Sequence, residues 1–298
     1  MEAKAMKESG SDRIFTIINY VILAIFTLSV LYPLLVVLSN SISAPEAVGA
    51  GKVYLWPVRP DFAGYRQVFT YEKFWSGLGN SILYTSVGTM FNIALTLLAG
   101  YPLSRSDFYG KGWFMALFVF TMVFHAGIIP TYMVVKSLHM INTVWAMIVP
   151  GALAAWNVII TRTYFKTTIP QEMLESAQMD GCGDWRFLAR MVIPLSAPII
   201  AVNALFYAVA NWNAYFNALI YLSQPKLFPL QLILREILIL SHVTPDMLDQ
   251  VQDPARLAGM TDVLKFALIV VSTAPLLVIY PFIQKHFVKG MMIGSLKG

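Results

Sequence analysis

The sequence predicts an all-α membrane protein with six transmembrane helices and both termini in the cytoplasm. Three observations predict it. Hydrophobic residues make up 57% of the 298 positions and charged residues only 12%, against the roughly 25% charged content of soluble domains, and mean hydropathy is +0.64. The charges are bunched: no Asp, Glu, Lys or Arg occurs from Ile14 to Pro45, Phe74 to Ser104, Gly112 to Val135, Ser137 to Thr161, Met191 to Pro225, or Phe266 to Gln284. Each run approaches or exceeds the ~20 apolar residues that cross a bilayer. Finally, with the N-terminus inside, the inside segments carry 12 Lys plus Arg and the outside segments 8, the bias of the positive-inside rule.

The spans are placed at about 14–38, 75–101, 113–135, 143–161, 197–222 and 263–283, in a single transmembrane domain over 1–298. The first follows Lys4, Lys7 and Arg13 as a secretion signal would, but Ile14 to Leu38 is 25 residues, whereas a signal's apolar region runs about 7 to 15. It is read as a retained span. The last uncharged run is short, and Val263 and Leu264 extend it. The external segments hold turn chemistry, "SAPEAVGAG" and "WPVRPDFAGY", with Tyr54, Trp56 and Tyr65 as interfacial anchors. "LQLILREILIL", 230–240, is too short to span. It reads as a surface helix or a re-entrant piece.

Several function classes fall away. Cys182 is the single cysteine, so there is no intramolecular disulfide and no thiol pair for a metal. The net charge of +5 follows from topology rather than from a basic stripe, and nucleic acid is not an expected partner. The "GK" pairs at Gly51 and Gly110 are followed by Val53 and Gly112, so no phosphate-binding loop is formed. His125 stands alone in the third run, where helix packing is the simpler role. An ion-coupled secondary transporter would usually need an ionisable group near the midplane, often Asp or Glu, and neither occurs in the six runs. An intramembrane enzyme would need a nucleophile and base that His125 and scattered serines do not assemble. No catalytic residue, metal site or cofactor is expected in this chain.

Between the fourth and fifth runs lies a polar loop, 162–196, containing "ESAQMDGCGDWRFLARMVIPL". Pro170 suits a first helical turn, Glu172 and Glu175 favour the positive end of the helix dipole, and Gly181 can close the helix in the left-handed conformation. Asp184 can cap a second helix that Pro194 ends. A helix, a glycine turn and a helix result. Small Ser176 and Ala177 would let a partner surface approach. On the residues alone the pair is either a docking surface or a solvated loop helix against the headgroups.

The fifth run carries a polar arc. At about 100° per residue, Asn203, Tyr207, Asn211, Asn213 and Asn217 share one side of a continuous helix, with Trp212 opposite as a packing residue. Such a face belongs against protein or a water-filled cavity. It serves either as interhelical glue or, with amides suited to sugar hydroxyls, as pathway lining.

"IPQEMLESAQMDGCGDWRFLARMVIPL" resembles the cytoplasmic loop signature of bacterial binding-protein-dependent ABC importer permeases, at Glu175, Ala177, Asp180, Gly181, Ile193 and Pro194. Ser176 and Cys182 depart from its usual alanines and are both small. The layout, "NWNAYFNAL" and the closing "YPFIQKHFVKGMMIGSLKG" are similar to the carbohydrate subgroup related to the maltose permease, with likeness to oligosaccharide and alginate importers. The resemblance implies the type I permease fold in the bacterial inner membrane. It also implies a second homologous permease, a dimer of subunits that bind ATP and Mg, an extracytoplasmic solute-binding protein and a carbohydrate substrate. Glu172, Glu175, Ser176, Ala177, Asp180, Gly181, Cys182 and Pro194 would couple to the ATPase, and the tail with Lys289, Gly290, Gly294 and Gly298 would reach toward it.

Overall fold

A computed structural model describes residues 10–239 and 254–295. These residues are helical apart from turns and one isolated β-bridge, Ser43 with Pro60. The chain divides into two units, residues 1–71 with 242–271, and residues 72–241 with 272–298.

In the first unit, α1 (Gly10–Ser41) is long and apolar enough to cross a membrane. Phe15, Tyr20, Phe26 and their neighbours are exposed along its length, as expected of a helix whose solvent is lipid. Its end is polar and anchored: Ser39 Oγ donates to the Leu55 carbonyl at 2.6 Å, and the Ser41 and Tyr65 hydroxyls lie 2.8 Å apart. Two short helices follow, α2 (Pro45–Gly49) and α3 (Ala63–Thr70). Ala47, Val48, Val53 and Val263 form the small core.

The second unit is built on α4 (Glu72–Ser104), a 33-residue helix. It is followed by α5 (Lys111–Val123), α6 (Ile128–Ser137), α7 (Trp145–Ile148), α8 (Ala155–Thr168) and α9 (Gln171–Met179). Then come α10 (Asp184–Leu195), α11 (Ala197–Trp212), α12 (Tyr215–Tyr221) and α13 (Leu230–Ile239). The last helix, α14 (Pro254–Ser295), begins in the first unit and ends in the second. Small residues let neighbours approach α4: a Cβ at Gly100 would stand 3.1 Å from Thr161 Cγ2 on α8, and one at Gly88 would stand 2.9 Å from Asn211 Nδ2 on α11. This is how membrane helices pack without a hydrophobic drive between them.

Three of the six expected spans correspond to long apolar helices: α1, α4, and Gly259–Val278 within α14. Two others are bent pairs. The run 113–135 breaks between α5 and α6 at 118°, where Gly127 takes φ +82 and Pro130 sits in the first turn of α6; His125 lies in this non-helical link. The run 197–222 is also interrupted, at Asn213 and Ala214, and α10 with α11 forms a pair bent by 81°. The run 143–161 is not one helix. Pro150 and Gly151 (φ +78) divide it, and α8 starts only at Ala155 and extends to Thr168. Segment 230–240 was expected at a surface or as a re-entrant piece. As α13 it buries Leu230, Leu232, Ile233 and Ile237, and the Leu230 N–H donates to Ser81 Oγ of α4 at 2.8 Å. Residue 240 and Gly298 lie outside the described residues, while Lys289, Gly290 and Gly294 fall on α14.

Candidate functional site

The loop between α8 and α10 forms a compact elbow. Pro170, with φ −63 and ψ 145, turns the chain into α9, and Asp180 follows its last residue. Gly181 then takes φ +73. Its N–H donates to the Gln178 carbonyl at 2.9 Å, and the Cys182 N–H reaches back to the Ala177 carbonyl at 2.9 Å. These two bonds are a Schellman closure, which needs a left-handed residue where Gly181 stands. Cys182 packs with Ala177 in the same apolar cluster, the contact that accompanies this motif.

The inner side of α9 is apolar. Met173, Leu174 and Ala177 rest on a cluster that includes Phe165 of α8 and Phe187, Leu188 and Val192 of α10. Ala177 is only 7% exposed. Its small side chain therefore sets how closely α9 lies on the chain's own helices, where the sequence suggested a partner's approach. The outer side presents Glu172, Glu175, Ser176, Asp180 and Gly181 to solvent. Two large residues join them: Met179 is 91% exposed and Trp185 is 74% exposed. Neither was singled out from the sequence, although both stand out of phase with the Met173, Leu174, Ala177 face.

Asp184 was expected to cap α10. It begins the helix, but no side-chain cap bond forms; its carboxylate instead accepts from Arg105 Nη1 at 2.7 Å. Arg105, in the link between α4 and α5, also grips both oxygens of Asp107, at 2.8 and 2.5 Å, and donates to the Tyr101 hydroxyl at 2.9 Å. The two carboxylates are more than half exposed, while the Arg105 side chain is 10% exposed. Hydrogen bonding to Arg105 holds the Asp107 carboxyl below its ordinary range, with burial opposing it. Alongside, Ser106 Oγ donates to Gln171 Oε1 at 3.0 Å, and Gln171 Nε2 donates to Glu175 Oε1 at 3.0 Å. One short link thus holds the starts of both elbow helices.

Pro194 was expected to end the second helix. It lies inside α10, which runs on to Leu195 and is widened to a π turn over Leu188–Val192. The missing Pro194 N–H leaves the Arg190 carbonyl without its ordinary partner, so the widening has a local cause.

The five polar residues of the fifth run do not share one continuous helix, because α11 stops at Trp212. Asn203 is fully buried, and its Nδ2 donates to Thr161 Oγ1 at 2.7 Å. Tyr207 is buried too. It accepts from the Ala154 N–H at 3.2 Å and lies 2.7 Å from Thr96 Oγ1, whose proton goes to the Asn92 carbonyl; Tyr207 is therefore the donor to Thr96. These two tie α11 to α4 and α8. Asn211 is half-buried and reaches Thr89 Oγ1 at 3.3 Å; Asn213 is exposed, bonded to its own Val209 carbonyl; Asn217 is half-buried on α12. Trp212 is buried and donates to the Ser272 carbonyl at 3.0 Å, a packing role as expected.

This division predicts separable phenotypes. Asn203→Leu removes a buried interhelical bond worth about 0.6 and up to ~1.7 kcal/mol in a membrane, and should lower the melting temperature of the purified protein. Asn217→Leu should leave melting unchanged. Equal melting for both would refute the division.

Over residues 3–293 the sequence matches the family described as binding-protein-dependent transport system inner membrane component. The chain belongs to this family. The permease is 37% identical over 297 residues to Protein LplC of Bacillus subtilis, covering 100% of this chain and 99% of that one. It is 39% identical over 287 residues to the polygalacturonan/rhamnogalacturonan transport system permease protein YtcP of the same organism, covering 96% and 99%. Its structure is similar to that of a bacterial ABC transporter involved in the import of the acidic polysaccharide alginate, with a TM-score of 0.87 and 34% identity, covering 94% of this chain and 99% of that one. The permease therefore has the ABC importer permease fold and resides in a bacterial inner membrane.

Proposed function

We propose that this permease forms half of the translocation pathway of an ATP-driven importer for an oligo- or polysaccharide. The relatives named for polygalacturonan/rhamnogalacturonan and the structure involved in alginate import support a carbohydrate cargo. The chain acts as one transmembrane domain with six spans and cytoplasmic termini. A second permease completes the cavity, a solute-binding protein delivers substrate from outside, and two separate ATP-binding subunits supply hydrolysis.

The observation that carries the reading is the two-sided elbow. Its inner side is packed into the chain's own core, and its outer side is left acidic at Glu172, Glu175 and Asp180 and apolar at Met179 and Trp185. A lever needs both properties: a grip for the motor and a rigid attachment to what it moves. When the ATPase subunits close, the elbow travels as a body and biases the pathway between inward- and outward-facing arrangements. Glu172, Glu175, Ser176, Asp180 and Gly181 meet the ATPase surface, while Ala177, Cys182 and Pro194 shape the elbow from within. Asn211, Asn213 and Asn217 line the path, and Asn203 and Tyr207 hold the helix that carries them.

Reconstitution with the partner subunits tests this. Glu175→Lys should abolish most of the ATPase stimulation by the solute-binding protein while the chain still inserts in the membrane. Stimulation equal to wild type would remove the coupling role.

A further inference from the structure

Beside the elbow, the ends of α4 and α8 enclose a cavity of about 590 Å³. Four cations line it, Arg105, Lys111, Arg162 and Lys166, and no Asp or Glu does. Arg105 is already matched by Asp107 and Asp184. Lys111 donates from Nζ to the carbonyls of Arg105 and Ser106, at 3.2 and 2.9 Å, and its charge helps keep Asp107 ionised. Arg162 and Lys166 differ. Arg162 Nε is spent on the Leu103 carbonyl at 3.0 Å, and among the described residues neither side chain has a carboxylate within ion-pair distance. They stand four residues apart on α8, where like charges repel. Two neighbouring cations facing one cavity favour an anion between them.

The remaining wall narrows the choice of anion. Phe165, Leu174 and Phe187 give the cavity an apolar side, and the lining hydroxyls of Ser106 and Thr167 already donate to Gln171 Oε1 and to the Thr163 and Tyr164 carbonyls, so the four cations are what remains for an anion. The cavity lies beside the ends of α4 and α8, and α4 is apolar and long enough to cross a membrane, so its end is where a spanning helix meets headgroups. A guanidinium and ammonium groups suit phosphate oxygens, and basic pockets between membrane helices bind anionic headgroups. We infer that this cavity binds the phosphate group of an anionic membrane lipid, held by Arg162 and Lys166 with Lys111 behind them. The cavity shares Gln171, Leu174 and Phe187 with the elbow, but anion binding by Arg162 and Lys166 requires no contact with an ATPase.

Native mass spectrometry of the intact complex, taken from bilayers of phosphatidylcholine alone or with added phosphatidylglycerol, tests the site. Wild type should retain a phosphatidylglycerol adduct that inorganic phosphate does not displace. Lys166→Gln should hold it about fivefold more weakly, and Arg162→Gln with Lys166→Gln about 25-fold, from about 1 kcal/mol per cation. Lys166 is exposed, so Lys166→Gln should melt like wild type in phosphatidylcholine and keeps the test open should Arg162→Gln fail to fold. If inorganic phosphate instead displaces the adduct, and raises the melting temperature of wild type but not of Lys166→Gln, the phosphate site stands and its ligand is the free ion. Equal retention by wild type and both variants, with no phosphate effect, overturns the proposal.

Discussion

Gly181→Val should uncouple ATP hydrolysis from transport, whereas Gly181→Asn should remain close to wild type. The contrast isolates backbone conformation from bulk. A Cβ at Gly181 would meet nothing within 4 Å, so no neighbour is struck by either side chain; the cost comes from φ +73 alone. Left-handed backbone costs an ordinary L-residue about 1–2 kcal/mol, is worse for a β-branched one, and is tolerated by Asn. With Val the chain escapes that region, and the bonds from Gly181 to Gln178 and from Cys182 to Ala177 are lost together. The outer side of α9 then loses its fixed angle to Trp185. A penalty of that size lowers the equilibrium constant for the closed turn by roughly 5- to 30-fold, and on the proposed coupling role stimulated ATPase activity in the reconstituted complex should fall. Gly181→Ala should lie between. Equal activity for Val and Asn would show that the Schellman closure does not govern coupling.

The elbow was legible in the sequence because its determinants are local. Pro170, the Glu pair and Gly181 each dictate a backbone state within a few residues, and the structure has α9 begin after Pro170 and close at Gly181. The long uncharged stretches under α1 and α4 were legible for a similar reason, since each run is itself the signal. Helix continuity was not. A run of apolar residues reports the medium around a segment, and Gly127 or Gly151 can turn the backbone without adding a charge. Freed backbone groups at such a break are tolerated when protein or water satisfies them, so hydropathy passes over the breaks between α5 and α6 and between α11 and α12. The five-residue polar arc failed through the same assumption, because its angular arithmetic required a helix that Asn213 interrupts.

Long-range polar pairing was least legible. Asp184 has the local look of a helix cap, and nothing in its neighbourhood reveals that Arg105, 79 residues earlier, claims its carboxylate. The pairing matters because of where Arg105 sits. α4 is the helix against which α8, α11 and α13 pack, and the link that follows it reaches the first residue of α9 through Ser106 and the first residue of α10 through Arg105. The elbow is thereby joined to the central helix through a bonded path as well as through the apolar cluster.

Arg105→Ala should therefore weaken coupling more than it weakens the fold. Removing the guanidinium breaks the two-pronged grip on Asp107, the bond to Asp184 and the bond to Tyr101. Charged hydrogen bonds contribute about 1.5–3 kcal/mol each when desolvated, but both carboxylates are more than half exposed and recover water, so a total of about 1–2 kcal/mol is the realistic loss. Thermal unfolding of the complex should shift by only a few degrees. Transport per ATP hydrolysed should fall further, since α10 is released from the link while its apolar contacts persist. Arg105→Lys keeps the charge and loses the fork, and should restore stability better than coupling. The charge state sets the pH range of this latch. Asp107 has a lowered pKa in the fold, so its contribution is complete above the ordinary carboxylate pKa of about 3.9 and is lost as pH falls through the lower folded value. Coupling through Arg105 should accordingly be flat across neutral pH. A steep loss of wild-type coupling between neutrality and pH ~5, absent in Arg105→Ala, would contradict an assignment to this carboxylate.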